Sequence, residues 1–200
     1  MIRMGNVYVS KFMLNPASPL QKSELVLGEV VIEECLSRAI VSLGLSVEEE
    51  NNISNIIMSS FNIDLPIVGQ STVSDIKNAR ILGLQKDQLF LIFDYFELDP
   101  LAELPRDLQN FVYLTDQTDS WVMLRLSGQS ARIILQEACP IDFHPTSFKQ
   151  DAVCRTIMEH ISVIILCESS NRFLVLTPRS TSKSFLEFIK TSLKNLEDQV

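Results

Sequence analysis

Two hundred residues, 46% hydrophobic and 21% charged with six glycines and eight prolines, make a globular chain long enough for one domain or for two small halves sharing a core. A net charge of −8 leaves no cationic footprint for a nucleic-acid backbone or an anionic membrane. The longest apolar runs, such as 163–167, fall far short of the ~20 residues that cross a bilayer.

Residues 1–30 hold Pro16 and Pro19 in a Ser/Asn/Lys context without a clean period, which predicts an irregular arm that could wrap a partner. The segment Met1-Ile2-Arg3-Met4-Gly5 leads into no continuous apolar run and no small-residue cleavage site, so the cytoplasm is the expected location. Over 34–45 the alternation suits a strand, although Ile32, Leu36, Ile40 and Leu43 also fit one helix face. Ser46 and Glu49 have capping-box spacing ahead of Ile53, Ile56, Ile57 and Phe61, predicting a helix over about 47–60. Residues 79–84 and 88–93 read as a hairpin closed by Gln85-Lys86-Asp87. Asp99-Pro100 offers an N-cap and a first-turn proline for a short helix that Pro105 interrupts.

In the second half, Val122, Leu124 and Leu126 share one face of a strand that Ser127-Gly128 stops. Ala131, Ile134, Leu135 and Ala138 then mark a helix face. Three strands are predicted over 153–158, 161–167 and 172–177, the last two joined by Glu168-Ser169-Ser170-Asn171. Thr181 or Ser182 opens a final helix whose apolar face is Phe185, Phe188, Ile189, Leu193 and Leu196.

The two halves correspond in order. Each has a strand, a helix, a turn (Asn62-Ile63-Asp64-Leu65-Pro66 or Pro140-Ile141-Asp142-Phe143-His144-Pro145), then a strand pair. The expected architecture is α+β: an arm over 1–30 and a single domain over 31–200, built of two similar β-α-β-β units at about 31–110 and 111–200. Its antiparallel sheet should carry helices on one side.

Local motifs for chemistry are missing. There is no G-x-G-x-x-G and no G-x-x-x-x-G-K-[ST] to bring backbone close to a pyrophosphate. His144 and His160 are the only histidines, and Cys35, Cys139, Cys154 and Cys167 form no C-x-x-C pair, so they read as small core residues rather than redox or zinc ligands. Ser127-Gly128 lacks the surrounding nucleophile-elbow pattern, and Ser127 reads as a helix cap. Lys183, Lys190 and Lys194 lie opposite the apolar stripe of the last helix, where charges are ordinarily solvated. Asp142, His144 and Arg179 are the remaining chemical candidates. A carboxylate, an imidazole and a guanidinium in turns could serve acid-base work or anion binding, but the expected role is structural: fixing turns, or pairing with each other or with a neighbouring subunit.

Asp116-Gln117-Thr118-Asp119-Ser120-Trp121, followed by Leu124-Arg125-Leu126-Ser127-Gly128-Gln129-Ser130-Ala131-Arg132, resembles a signature of sarcosine oxidase gamma subunits. Cys139-Pro140-Ile141-Asp142-Phe143-His144-Pro145-Thr146-Ser147-Phe148, Cys154-Arg155-Thr156 and the strand ending in Pro178-Arg179-Ser180 continue the likeness. It is strongest over 112–190, extends to 35–95, and is absent from 1–30; Thr118 and Gln129 stand where the family favours serine and proline.

The resemblance implies an accessory gamma chain, without catalytic, cofactor-binding or metal-binding residues of its own, in a complex with alpha, beta and delta subunits. That complex oxidises sarcosine to glycine and passes the one-carbon unit to tetrahydrofolate. FAD, FMN, NAD, tetrahydrofolate and zinc would belong to the other subunits, and the fold would be a degenerate relative of the folate-binding aminomethyltransferase domain. A mean hydropathy of +0.17 fits apolar surface covered by partner chains. Two alternatives are an accessory chain of a related N-methyl amino acid dehydrogenase, such as one for N-methylglutamate, and a free-standing folate-binding protein.

Overall fold

The computed structural model describes residues 17–20, 24–95 and 99–197. Most of the arm expected over 1–30 lies outside those residues; within its range, strand β1 (Glu24–Leu27) forms an antiparallel hairpin with β2 (Val30–Glu34). The expected strand over 34–45 is β3 (Arg38–Leu45).

Helix α1 (Glu50–Phe61) follows a single 3-10 turn, Val47–Glu49. The capping box does not form: the Ser46 side chain makes no cap bond, and Glu49 instead accepts from Asn52 Nδ2 at 2.6 Å. Asn62 closes the helix at φ 54°, a left-handed conformation that asparagine tolerates, and donates its N–H to Met58 O. Strand β4 (Ser71–Val73) precedes the predicted hairpin β5 (Arg80–Gln85) and β6 (Gln88–Asp94). As expected, Asp99 Oδ1 accepts from Leu101 N–H at 3.0 Å to start a short 3-10 helix, Pro100–Glu103, and Pro105 separates it from a second, Arg106–Asn110.

Strands β7 (Val112–Asp116) and β8 (Trp121–Ser127) lead to helix α2 (Ala131–Ala138). The chain finishes with β9 (Val153–Met158), β10 (Ile161–Ser169), β11 (Arg172–Pro178) and helix α3 (Ser182–Glu197). Ser127 does not cap α2; its hydroxyl lies 3.5 Å from Val31 O, across the β2–β8 pairing.

All strand pairs are antiparallel, in a six-stranded sheet of order β1-β2-β8-β11-β10-β9 and a five-stranded sheet of order β4-β5-β6-β3-β7. Each sheet carries its helices on one side, as the sequence predicts, and the other two faces pack together. Alternation explains how one strand serves two cores. In β10, Val163, Ile165 and Cys167 face α2 and α3, whereas Ile164 and Leu166 meet Ile40, Leu82, Phe90 and Ile92 of the other sheet. On the far side, Ile53, Ile57 and Phe61 of α1, with Leu104 and Leu108, cover Val41, Leu43, Leu91 and Phe93. The layers therefore run helices, six strands, five strands, helix.

The sheets also join at an edge. Arg80 Nη1 of the five-stranded sheet reaches Asp151 Oδ1 at 2.6 Å, Ser71 N–H donates to Asp151 O, and Gln70 bridges Ala152 ahead of β9. A polar exception lies within β11. Thr177 is fully buried and its hydroxyl has no hydrogen-bond partner among the described residues. Replacing an unsatisfied buried hydroxyl by an isosteric methyl removes a desolvation cost. Thr177→Val is therefore expected to leave stability unchanged or raise it by about 1 kcal/mol in urea unfolding; a clear loss would mean that the hydroxyl has a partner in solution.

Candidate functional site

After α2 the chain makes a compact turn in which buried and exposed residues interleave: Cys139, Phe143 and Phe148 point into the core, and Asp142, His144 and Thr146 are exposed. Asp142 Oδ1 accepts the His144 N–H at 2.8 Å, and His144 O accepts from Ser147 and Phe148 N–H, both at 2.9 Å. Hydrogen bonds from the Ser147 side chain and then from the His144 backbone hold the Asp142 carboxyl below its ordinary range. His144 Nδ1 lies 2.8 Å from Thr146 Oγ1 and 3.3 Å from Thr146 N, so in the neutral ring it is the acceptor nitrogen and Nε2 carries the proton. Beneath, Phe143 meets Phe148 edge-on at 4.8 Å between centroids and Phe173 at 6.3 Å.

The turn is held by a residue to which sequence reasoning gave no role. Arg132, on α2, donates Nη1 to Phe143 O and, at 3.3 Å, to Phe148 O. Its Nε and Nη2 both reach Ser170 O, at 3.2 and 2.9 Å, and its guanidinium lies 4.9 Å from the Phe173 ring centroid. One planar cation thus ties the turn after α2 to the β10–β11 turn and stacks on the core between them. In sequence, Arg132 sits beside the apolar stripe of α2 and is indistinguishable from a solvated charge.

Arg179 lies elsewhere. It follows β11 at the end opposite Ser170, a strand of seven residues away, or about 20 Å at the rise of an extended chain. Its Nη2 donates to Ala17 O at 2.7 Å, its Nη1 is 3.7 Å from Asp119 Oδ1, and its N–H donates to Ser120 O. The three sequence candidates therefore make two separate features: an exposed Asp142–His144 turn and an Arg179 clasp between the chain near residue 17 and the 119–120 turn.

Neither feature assembles a nucleophile with a base. Burial, with Cys154 close by, pushes the Cys139 thiol up to about 12, and burial pushes Cys154 up to about 11, so both are protonated near neutral pH rather than reactive thiolates. Among the described residues no group of three or more His, Cys, Asp or Glu side chains is placed to hold a metal ion.

No protein-family model matches the chain, and no curated protein matches it. Solved structures do. Part of an aminomethyltransferase T of the glycine cleavage system from Bartonella henselae superposes with a TM-score of 0.58 and 13% identity, covering 80% of this chain and 45% of that one. A chain of the heterotetrameric sarcosine oxidase from Corynebacterium sp. U-96, solved with pyrrole 2-carboxylate, superposes with a TM-score of 0.75 and 19% identity, covering 90% of this chain and 95% of that one. The molecule is built, over nearly its whole length, on the fold of a chain of heterotetrameric sarcosine oxidase.

Proposed function

We propose that this chain is the gamma subunit of a heterotetrameric sarcosine oxidase, an accessory chain that braces the flavin-bearing subunits and carries no catalytic residue. The observation that carries the reading is reciprocal coverage: 95% of a chain of that oxidase is accounted for by 90% of this one, so the likeness is between whole chains. The residues of the family signature support it, because Arg132 and the 139–148 segment form one locked unit. Exposed apolar side chains suit a chain made to be covered: Ile67 is 75% exposed, Tyr113 86% and Ile157 56%. FAD, FMN, NAD, tetrahydrofolate and zinc then sit on the alpha, beta and delta partners, in the cytoplasm.

Co-expression with the other three subunits tests this. With the tagged chain present, affinity capture is expected to return yellow, multi-subunit material that makes peroxide from sarcosine; leaving the chain out should abolish assembly or reduce activity at least about tenfold. An unchanged complex in its absence would sink the accessory role. Partial likeness to the aminomethyltransferase supports a second reading, a free-standing folate binder, although this chain spans less than half of that protein. Stoichiometric tetrahydrofolate binding by the colourless chain alone would put that reading in first place. Activity of the assembled complex toward N-methylglutamate instead of sarcosine would assign the chain to the sister dehydrogenase.

A further inference from the structure

In a chain of net charge −8, four of the nine arginines line one cleft, of about 310 Å³, where the two sheets meet. Arg38 and Arg80 come from β3 and β5 of the five-stranded sheet, Arg125 and Arg172 from β8 and β11 of the six-stranded one. Between 40 and 50 residues separate successive members, so no local pattern in the sequence signals the cluster.

Four carboxylates answer these four cations, Glu33 standing opposite Arg125 in the β2–β8 pairing and acting on it by its charge. Asp94 Oδ1 lies 3.1 Å from Arg38 Nε, Asp151 Oδ1 2.6 Å from Arg80 Nη1, and Glu168 takes both Arg125, at 2.8 and 3.4 Å, and Arg172 Nε, at 3.2 Å. Burial alone would raise the Glu168 carboxyl, but the Arg125 hydrogen bond and the charges of Arg125, Arg172 and Arg80 outweigh it and hold it low, so Glu168 is already spent as an anion at neutral pH.

Most of this charge is withdrawn from water. The Arg38, Arg80 and Arg125 side chains are only 11, 14 and 20% exposed, a placement that is costly unless each donor is met. Arg38 Nε is buried and, although close to Asp94, has no aligned hydrogen-bond acceptor among the described residues. Arg172, about half exposed, stands at the mouth. Four guanidinium forks lining one cleft, with an unmet buried donor among them, are what a carboxylate or phosphate group binds to.

We propose that this cleft is an oxoanion-binding site that takes one carboxylate- or phosphate-bearing group between Arg38, Arg80, Arg125 and Arg172. The assignment does not depend on the oxidase reading. The group comes either from a free small molecule or from an acidic side chain of a partner, and the two sources separate experimentally.

Inorganic phosphate and citrate are the probes, titrated calorimetrically into the full chain with ionic strength held constant by sodium chloride. Saturable one-to-one binding of at least one of them is expected, weakened about tenfold or more in Arg172→Gln and largely retained in Arg172→Lys. Arg172 is half exposed, so its replacement should leave the fold intact, which circular dichroism checks. Retention of binding in the assembled complex identifies a free anion as the natural ligand; binding by the free chain that disappears on assembly identifies a partner's carboxylate. Absence of saturable binding to the free parent chain, or equal binding by Arg172→Gln, overturns the proposal.

Discussion

Replacing Arg132 with alanine is expected to lower stability by about 2–4 kcal/mol and to loosen the 143–148 turn before the rest of the domain. Charge-assisted hydrogen bonds contribute roughly 1.5–3 kcal/mol each where water cannot substitute. Arg132 makes such bonds to Phe143 O, Phe148 O and Ser170 O. Water can reach Ser170, so the two carbonyls of the turn dominate the loss. The Phe173 stacking adds about 0.5–1 kcal/mol at a partly buried site. Arg132→Lys should recover less than half, because an ammonium point charge cannot span both turns as a fork does. Urea unfolding measures the loss, and amide exchange locates it, with protection falling first at Ser147 and Phe148, whose N–H groups bond His144 O. If the Asp142–His144 turn is a subunit contact, partner capture should fall further than stability does. A variant within 0.5 kcal/mol of the parent would show that the turn holds itself.

The limits of the sequence follow from the range of the interactions. Helices α2 and α3 were legible because their buried residues recur within one chain segment, as at Ala131, Ile134 and Leu135 or at Phe185, Ile189 and Leu193. Strands β6, β10 and β11 announced themselves by five consecutive buried residues each. Those same runs held the news that both faces of each sheet are covered, but not what covers the second face; that depends on partners such as Ile40 and Leu174, 134 positions apart. β4, with Ser71, Thr72 and Val73, and β7, with Tyr113 exposed, have too few apolar residues to stand out and exist because a neighbour pairs with them. The capping box failed for a related reason. Ser46 and Glu49 have the right spacing, but the chain enters α1 through a 3-10 turn that places neither side chain on the backbone it was expected to bond.

The site divides in the same way. The proline-flanked 140–145 segment declares a turn, and Asp142 bonding the N–H two residues on is the local geometry that such a residue favours. What Arg132 does cannot be read locally, since backbone carbonyls carry no sequence mark. Pairing Asp142 with Arg179 was a reasonable option on paper. A whole strand, β11, stands between their two ends of the sheet.

Gly128→Ala is expected to lower stability by about 1–3 kcal/mol, and the reason lies in the hairpin that the sequence left unassigned. Gly128 has φ +129°, a conformation that L side chains rarely adopt, and a Cβ built there would stand 1.9 Å from Glu29 O and 3.2 Å from Val30 Cα. Glu29 belongs to the β1–β2 turn, and Val30, fully buried, starts the strand that pairs with β8 through Val31 and Ser127. Backbone cannot yield like the end of a flexible side chain, so the methyl either strains residue 128, at about 1–3 kcal/mol, or drives β1–β2 off β8 at a similar cost in packing. Gly128 also accepts Ala131 N–H and donates to Asn171 O, which fixes the α2 start against the β10–β11 turn and closes the route by which the loop could swing away. At roughly 2–4 °C per kcal/mol for a chain of this size, the melting temperature should fall by about 2–12 °C. Amide exchange separates the two modes: early loss at Val31 and Glu33 means that the hairpin detaches, and uniform loss means that strain is stored at residue 128. A fall of less than 2 °C would mean that β2 does not lie against Gly128 in solution, and the six-stranded sheet would then begin at β8.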